Sequence, residues 1–272
     1  ADFLETWISP VEFARGFAKM RSVRDGKMRQ FVYIGPRLSL TAANADEWIG
    51  PNPGTELFLA LGIAHLIVRE KKGTNLSSHE AKQIWEIVRP YDPEKVAALT
   101  GTPAAKIKSL ATAFAQARPS LALGGGTTTS GSNGTATAVA VNLLNYVAGN
   151  VGKTIRFPSQ TNSQKIASLS DMLTLTDAMK RGEIEILLLH GVNPIFTMPA
   201  SSGFTEALKQ VPFVVSFSSF MDETTEQAHL ILPDHTPLES WGDYFPREGI
   251  YGLMQPVMQP IFQTKAIGDV LL

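Results

Sequence analysis

A glycine-rich loop is the part of the sequence best suited to binding chemistry. The apolar segment SLALG at 120–124 is followed by Gly125, Gly126 and a run of Thr and Ser, and an Ala-rich helical pattern starts near residue 135. Backbone N–H groups at a helix N-terminus bind phosphate, and glycines let a ligand approach the backbone closely. A tight turn that needs glycine only for positive φ explains the same residues. This stretch alone leaves both interpretations open.

The loop matches neither of the two common nucleotide-binding motifs. A dinucleotide fingerprint that starts at Gly124 needs a further glycine where Thr129 stands, and the Walker A lysine is missing after Gly131. The later segment GNVGKT (149–154) ends like a Walker A motif, but Val147 stands at the position of its first glycine. This segment also follows a helix, so we interpret it as a helix end and loop.

Polar side chains also follow two later strands. Asn193, in LLLHGVNPIFTMP, either binds a ligand or closes an Asx turn, and the turn is the simpler interpretation. His190 ends the same strand, a position typical of a buried core histidine. In the segment 216–246 the His, Asp and Glu residues match no metal-ligand spacing, and no Ser–His–Asp arrangement is distinguished. We therefore predict no metal site, and the catalytic residues remain unassigned.

The composition excludes several classes of protein. The chain has 272 residues with 24 Lys and Arg against 25 Asp and Glu, a balance that does not predict a nucleic-acid partner. Because cysteine is absent, this segment holds no disulfide, cysteine-bound zinc or iron–sulfur cluster. The longest apolar run, LFLALGIAHLIV (57–68), is too short for a membrane span and predicts a buried helix. The chain begins without Met and ends without a polar tail, which indicates a piece of a longer protein.

The elements that must position these loops alternate along the chain from residue 120. SLALG, EIEILLLHG, PFVVSFS and AHLILP are predicted strands, whereas 135–148 and SGFTEALKQ are predicted helices. Continuous apolar strands with helical crossovers predict an α/β fold of mostly parallel sheets with helices on both faces. Ligands of such sheets bind beyond the carboxyl ends of the strands, where the polar loops lie.

The first part of the chain is richer in helix. A strand in RQFVYIG (29–35) precedes a long predicted loop over 36–56. Helix starts are predicted at the capping box Ser77–Glu80, at Asp92-Pro93 and at Thr102-Pro103. We divide the chain into 1–110, part of a helix-rich α/β domain, and 111–272, a Rossmann-like α/β domain.

Four segments, taken in order, resemble the molybdopterin oxidoreductase superfamily of the dimethyl sulfoxide reductase type. They are YIGPRLSLTAANADEWIGPNPGTELFLALG, LNYVAGNVGKT, LHGVNPIFTMP and FMDETTEQAHLILPDHTPLESWGDY. Each motif is loose, but the ordered set is specific and extends from about Asp2 to the end of the chain. The resemblance implies the central cofactor-binding region, which holds the guanine dinucleotide arms of a bis-molybdopterin guanine dinucleotide cofactor for electron transfer in an anaerobic or respiratory enzyme.

The resemblance also implies a set of ligand residues, in five loops. They are Pro36, Arg37, Ser39, Thr41, Asn52, Pro53, Gly54, Thr55, Gly124, Gly125, Gly126, Thr127, Thr128, Gly191, Asn193, Pro194, Ser218, Glu223 and Thr224. The family's metal ligand and iron–sulfur cysteines lie before the matching part, and its C-terminal domain lies after it. This fragment alone is therefore expected not to be catalytic.

Three positions depart from the family pattern. Gly35 stands where an acidic residue usually precedes Pro-Arg, Ser218 stands near the ribose-binding Asp, and His229 replaces the Asp of Ala-Asp. The segment 216–246 resembles most the molybdopterin-like iron–sulfur subunit of alternative complex III and its polysulfide-reductase-like relatives. A cofactor-free structural scaffold of a respiratory quinol-oxidising complex is therefore the alternative function. An NAD-type dehydrogenase is a further alternative, against which the failed fingerprint argues.

The resemblance implies partners and a compartment as well. The partners would be the iron–sulfur and C-terminal domains of the same polypeptide, together with iron–sulfur and membrane-anchor subunits. Relatives of this type commonly lie in the periplasm, or on the periplasmic face of the membrane.

Overall fold

A computed structural model of the chain describes residues 1–23, 26, 28–72, 76–126, 131–156, 166–247 and 249–272. Contacts divide the chain into two compact units, Ala1–Ser159 and Gln160–Leu272. The first unit contains two short strands and seven described helices. Its strands are β1 (Val32–Ile34) and β2 (Glu47–Ile49), and its helices are α1 (Pro10–Arg21), α2 (Leu40–Ala43), α3 (Glu56–Arg69), α4 (Ser78–Val88), α5 (Pro93–Thr100), α6 (Ala104–Gln116) and α7 (Gly134–Ala148).

Helix α3 forms the centre of the first unit. It packs against α4, α5, α6 and α7. Leu59, Leu66 and Ile67 are almost completely buried, as expected for a helix that is apolar on nearly all sides. The buried helix predicted from residues 57–68 is confirmed. Because α7 packs on α3, residues 134–148 belong to the first unit, whereas the sequence placed a boundary between residues 110 and 111.

Local sequence signals account for the helix boundaries. The Ser77 side chain accepts a hydrogen bond from the Glu80 N–H, and the Glu80 carboxylate accepts one from the Ser77 N–H. This capping box confirms the predicted start of α4. Asp92 caps α5, and Gly101 ends it with a φ of +74°, a left-handed conformation that favours glycine.

The long loop predicted over 36–56 is wrong, because this range contains α2 and β2. Strand β2 pairs in parallel with β1, and Tyr33 lies opposite Trp48. Elements of three and four residues are too short to show a helical or strand periodicity. Their sequence therefore resembled a loop.

The strand predicted over 120–124 is also wrong, because this segment pairs with no described strand. The Ala122 N–H donates to Asn145 Oδ1 at 2.9 Å, and Asn145 Nδ2 donates to the Ala122 carbonyl at 2.8 Å. One side-chain amide thus satisfies both backbone groups of Ala122, as a neighbouring strand would. Both groups point the same way, as they do in an extended chain.

The second unit is built on a parallel sheet with the strand order β3-β4-β5. The predictions of these three strands are confirmed, and the α/β fold class with parallel sheets holds in both units. The elements of the unit are α8 (Leu169–Lys180), β3 (Ile186–Leu189), α9 (Pro194–Thr197), α10 (Phe204–Leu208), β4 (Phe213–Ser216), β5 (Leu230–Ile231), β6 (Gly242–Arg247), β7 (Ile250–Met254) and α11 (Ile267–Leu271).

The core of the second unit joins α8 and α10 to the sheet. Met179, Phe204 and Val214 are its buried centre. Strands β6 and β7 form an antiparallel hairpin that the sequence analysis did not predict. Among the described residues, no helix has the length and apolar character needed to cross a lipid bilayer.

Candidate functional site

A cavity of about 510 Å³ lies between the glycine loop and the first turn of α7. Gly124 and Gly125 line it on the loop side, and Gly134 and Thr135 line it on the helix side. No Asp, Glu, Lys or Arg is among the described residues that line it. Its polar groups are therefore backbone amides, hydroxyls and side-chain amides.

The N-terminus of α7 has no side-chain cap. Asn133 occupies the cap position without making a cap bond, and its Nδ2 donates instead to the Gly54 carbonyl at 3.3 Å. The N–H groups of Thr135 and Ala136 have no hydrogen-bond partner among the described residues. Such first-turn N–H groups carry the positive end of the helix dipole and attract anions.

The glycines of this loop have backbone conformations that other residues rarely adopt. Gly125 has a φ of +118° and Gly126 a φ of +76°. A β-carbon at Gly124 would lie 3.3 Å from Val141 Cγ2. The structure thus supports the turn interpretation, and it places the same turn against an open cavity. Thr127 and Thr128 lie outside the described residues.

The loop that contains Pro36, Arg37, Ser39 and Thr41 lies beside the glycine loop, since a β-carbon at Gly126 would lie 3.3 Å from the Asp2 nitrogen. Asp2 Oδ1 accepts hydrogen bonds from Tyr33 Oη at 2.6 Å and from Ser39 Oγ at 2.7 Å. Burial opposes ionisation of Asp2, but these hydrogen bonds and the nearby Arg37 charge outweigh it and lower the pKa of Asp2.

Most polar groups of this loop already have partners within the chain. Arg37 Nη2 lies 3.1 Å from Glu5 Oε1 and 3.3 Å from Asp2 Oδ2. Thr41 Oγ1 accepts a hydrogen bond from the Leu4 N–H at 3.1 Å. Arg37, Ser39 and Thr41 therefore hold the segment 2–5 in place, a role that the sequence did not predict.

The loop from Asn52 through Pro53 to Thr55 reaches the same end of the unit, through the contact of Gly54 with Asn133. Asn52 Nδ2 donates to the Leu99 carbonyl at 3.2 Å, and Thr55 Oγ1 donates to the Asn52 carbonyl at 2.6 Å. Gly54 has a φ of +80°. The three predicted ligand loops of the first unit thus lie close together.

The predicted ligand loops of the second unit meet each other at the carboxyl ends of β3 and β4. Asn193 Nδ2 donates to Glu223 Oε2 at 2.7 Å, and Thr224 Oγ1 donates to Asn193 Oδ1 at 2.6 Å. The Ile195 N–H in turn donates to Thr224 Oγ1 at 3.0 Å. The Asn193 hydrogen bond lowers the pKa of Glu223. We name Asn193, Glu223 and Thr224, together with the bonded Ile195 amide, the Asn193 cluster.

Residues around the Asn193 cluster fix the loop after β4. Ser218 Oγ donates to the Phe220 carbonyl at 2.8 Å, and Asp222 Oδ1 accepts from the N–H groups of Thr224 and Thr225. Burial raises the pKa of Asp222, but these hydrogen bonds outweigh that effect, so its pKa is lowered. Gly191 and Pro194 frame the Asn193 turn, with Pro194 at the start of α9.

The expectation that His190 is a core histidine is wrong. Its side chain is 50% exposed, and its Nε2 lies 2.7 Å from Asp234 Oδ2. The sequence signal was present, since both residues follow strands of one sheet, but exposure at a strand end cannot be deduced from spacing. Among the described residues, no group of three or more His, Cys, Asp or Glu is arranged for a metal ion.

Comparison with known proteins gives a consistent result. The family model described as molybdopterin oxidoreductase matches residues 16–271. The menaquinone reductase molybdopterin-binding-like subunit of Nitratidesulfovibrio vulgaris is 34% identical over 288 residues, covering 100% of this chain and 41% of that protein. Formate dehydrogenase H of Escherichia coli is 24% identical over 279 residues, covering 86% of this chain and 38% of that protein.

A solved structure has the same fold. Acetylene hydratase from Pelobacter acetylenicus matches with a TM-score of 0.71 at 19% identity, covering 97% of this chain and 44% of that chain. At this identity the likeness concerns the fold alone. The chain spans about two fifths of the length of the curated relatives named above.

Proposed function

The chain belongs to the molybdopterin oxidoreductase family, and we propose that it holds the guanine dinucleotide arms of a bis-molybdopterin guanine dinucleotide cofactor. The observation that carries this proposal is the uncapped N-terminus of α7 beside the 510 Å³ cavity. The resemblance of the polar loops to the family's motifs extends the proposal to those loops.

The residues around the cavity fit a pyrophosphate. The N–H groups of Thr135 and Ala136, which have no partner among the described residues, supply donors, and Gly124 and Gly125 let an anion approach the backbone. No acidic side chain is among the described residues that line the cavity. Thr127 and Thr128 belong to the same proposed loop. Asn52–Thr55 and Pro36–Thr41, which lie at this end of the unit, would form the walls around the nucleotide.

The Asn193 cluster would contact a second nucleotide arm. Glu223 is exposed, and its carboxylate can accept hydrogen bonds from the N–H groups of guanine. Gly191 and Pro194 set the turn that presents Asn193, and Ser218 lies on the neighbouring loop. Because the side chains of Asn193 and Thr224 already bond within the cluster, a ligand would bind the exposed acceptor atoms that remain.

In the whole protein the cofactor would supply the metal centre for electron transfer, and this region would bind and orient its arms. We place the metal ligand, the iron–sulfur clusters and the C-terminal domain in the remainder of the polypeptide. Iron–sulfur and membrane-anchor subunits would be the partners, on the periplasmic face of the membrane. The relatives, which include reductases and a dehydrogenase, support an oxidoreductase role.

A cofactor-free scaffold is the second candidate, and specific observations favour it. Arg37, Ser39 and Thr41 are occupied by bonds to residues 2–5, and Asn193 and Thr224 bond each other. The relative from Nitratidesulfovibrio vulgaris is described only as molybdopterin-binding-like. The NAD-type dehydrogenase receives no support from the family match.

Metal and nucleotide analysis of the purified full-length protein separates these functions. Cofactor binding predicts molybdenum or tungsten near one atom per chain, together with guanine nucleotide released on acid hydrolysis. A well-assembled protein that contains neither would support the scaffold and contradict the cofactor proposal.

A further inference from the structure

A second cavity of the first unit, of about 720 Å³, separates β1 from the segment 120–124. Val32 and Ile34 line it on one side, and Leu121 and Leu123 line it on the other. Its base is apolar, with Leu59 of α3 among the residues that form it. We name this cavity the strand slot.

Both long sides of the strand slot are backbone edges that lack hydrogen-bond partners. Strand β1 pairs only with β2 in the described part of the chain. The Phe31 carbonyl and the Gly35 N–H bond toward β2, so the alternating backbone groups of Val32 and Ile34 point away from β2. An unpaired strand edge is a template for another strand.

The opposite side has the same character. Both backbone groups of Ala122 point toward Asn145, so those of Leu121 and Leu123 point the other way in the extended chain. Within the described residues, the N–H and C=O groups of Leu121 and Leu123 have no hydrogen-bond partner. Asp2 accepts a hydrogen bond from the side chain of Tyr33 in β1, and it lies beside Gly126, which follows residues 120–124. The carboxyl ends of both edges therefore lie at the same end of the slot, so the two edges run in the same direction.

The volume of the slot corresponds to a short strand. With a rise of about 3.3 Å, a strand spacing of about 4.8 Å and a layer thickness of about 10 Å, one strand residue occupies about 160 Å³. The 720 Å³ of the slot then corresponds to about four or five residues. This length matches the five residues of the segment 120–124.

A buried carboxylate of the slot, Glu56, interacts electrostatically with the Ala1 ammonium but lacks a hydrogen-bond donor in the described part of the chain. The Glu56 side chain lines the slot and the residue is only 8% exposed, yet neither carboxylate oxygen has a hydrogen-bond partner in the described part of the chain. A buried polar group without a partner is costly. A backbone N–H or a basic side chain that enters the slot would supply the missing donor.

We infer that a β-strand of about four or five mostly apolar residues, from a part of the full-length polypeptide outside residues 1–272, occupies the strand slot and donates a hydrogen bond to Glu56. The strand pairs in parallel with β1 and with residues 120–124, and it joins them into one sheet. The relatives are long enough to contain such a segment, since the chain covers 41% of the menaquinone reductase subunit. The inference does not depend on whether the chain binds a cofactor.

Hydrogen exchange and photo-crosslinking of the full-length protein test this inference together. In the full-length wild type, the amides of Val32, Ile34, Leu121 and Leu123 are expected to exchange at least about 100-fold more slowly than in an unstructured peptide. A photoreactive phenylalanine analogue in place of Leu123 is expected to cross-link to one apolar segment outside residues 1–272 of the same chain.

Val139 gives a matched control, because it is an exposed residue of α7 that does not line the slot. The same probe at Val139 is expected not to reach that segment. Slow exchange with the expected cross-link supports the inference. Fast exchange of these four amides overturns it, as do cross-links from Leu123 that are absent, confined to residues 1–272, or made only to another polypeptide.

Discussion

The N-terminus of α7 and the Asn193 cluster are both polar sites at the ends of strands or helices, but their hydrogen bonding differs. At α7, the N–H groups of Thr135 and Ala136 have no partner among the described residues, and Thr135 lines a cavity. In the Asn193 cluster, the side chains of Asn193 and Thr224 bond each other. The first site has donors left for a ligand, whereas the second is a rigid platform that needs none to be stable.

The largest expected effect is the loss of local stability in the Thr224→Val variant, and it is limited to the second unit. Thr224 is fully buried, and valine would leave the Ile195 N–H without its partner and Asn193 Oδ1 with only the Phe196 N–H as a donor. We expect a loss of about 1–3 kcal/mol in local stability, measured by hydrogen exchange of the loop 190–198. Thr224→Ser keeps the hydroxyl and should retain most of the stability. Equal exchange in wild type and Thr224→Val would show that the cluster is not the rigid platform described.

Gly125→Ala is expected to weaken nucleotide binding at the α7 site, an effect of intermediate size. An alanine at a φ of +118° is strained by about 1 kcal/mol, which corresponds to about a fivefold change in an equilibrium. We expect the guanine nucleotide content of the full-length protein to fall by about this factor. Gly131→Ala is the control, because its φ is ordinary and no atom lies within 4 Å of the added β-carbon. Equal losses in both variants would contradict a specific role for Gly125.

Acidification is expected to have a smaller effect, which distinguishes the loop after β4 from the first turns of α7. The pKa values of Asp222 and Glu223 are lowered in the folded chain. Their contribution to stability is therefore present above the unfolded pKa of about 4 and is lost as the pH falls through the folded pKa. Hydrogen exchange at pH 5 and pH 3, corrected for the intrinsic rate, should show loosening of the loop 218–225 but little change at 134–142.

The Asp222→Asn variant provides the control for this pH dependence, since its side chain does not titrate. It should loosen less between the two pH values than the wild type does. Equal loosening of both regions in the wild type would contradict the difference between them.

The sequence predicted the elements whose signals are local or continuous. Apolar runs gave β3, β4 and β5, and the caps Ser77 and Asp92 gave the starts of α4 and α5. It failed where tertiary pairing decides the result. The segment 120–124 has the composition of a strand, but pairing requires a neighbour that lies outside this sequence in our proposal.

The sequence predicted which loops form the candidate site, but it did not predict the hydrogen bonds that their side chains make. The positions of Asn193 and Thr224 after neighbouring parallel strands indicate that they meet. The engagement of Arg37 and Ser39 with residues 2–5 depends on how the N-terminal segment folds back, which no local pattern encodes. The exposure of His190 likewise depends on what covers the strand end.

The most direct test of the α7 site compares Thr135→Asp with Ala105→Asp in the full-length protein. Both residues are the second of a helix without a side-chain cap, and an aspartate there favours the helix by about 0.3–1 kcal/mol. Only Thr135 lines the cavity, where the new carboxylate would repel a phosphate. Guanine nucleotide content per folded chain is the measurement. We predict at least about a tenfold loss in Thr135→Asp, or about 1.4 kcal/mol, and wild-type content in Ala105→Asp. Equal content in both variants, or no nucleotide in the wild type, would contradict the account.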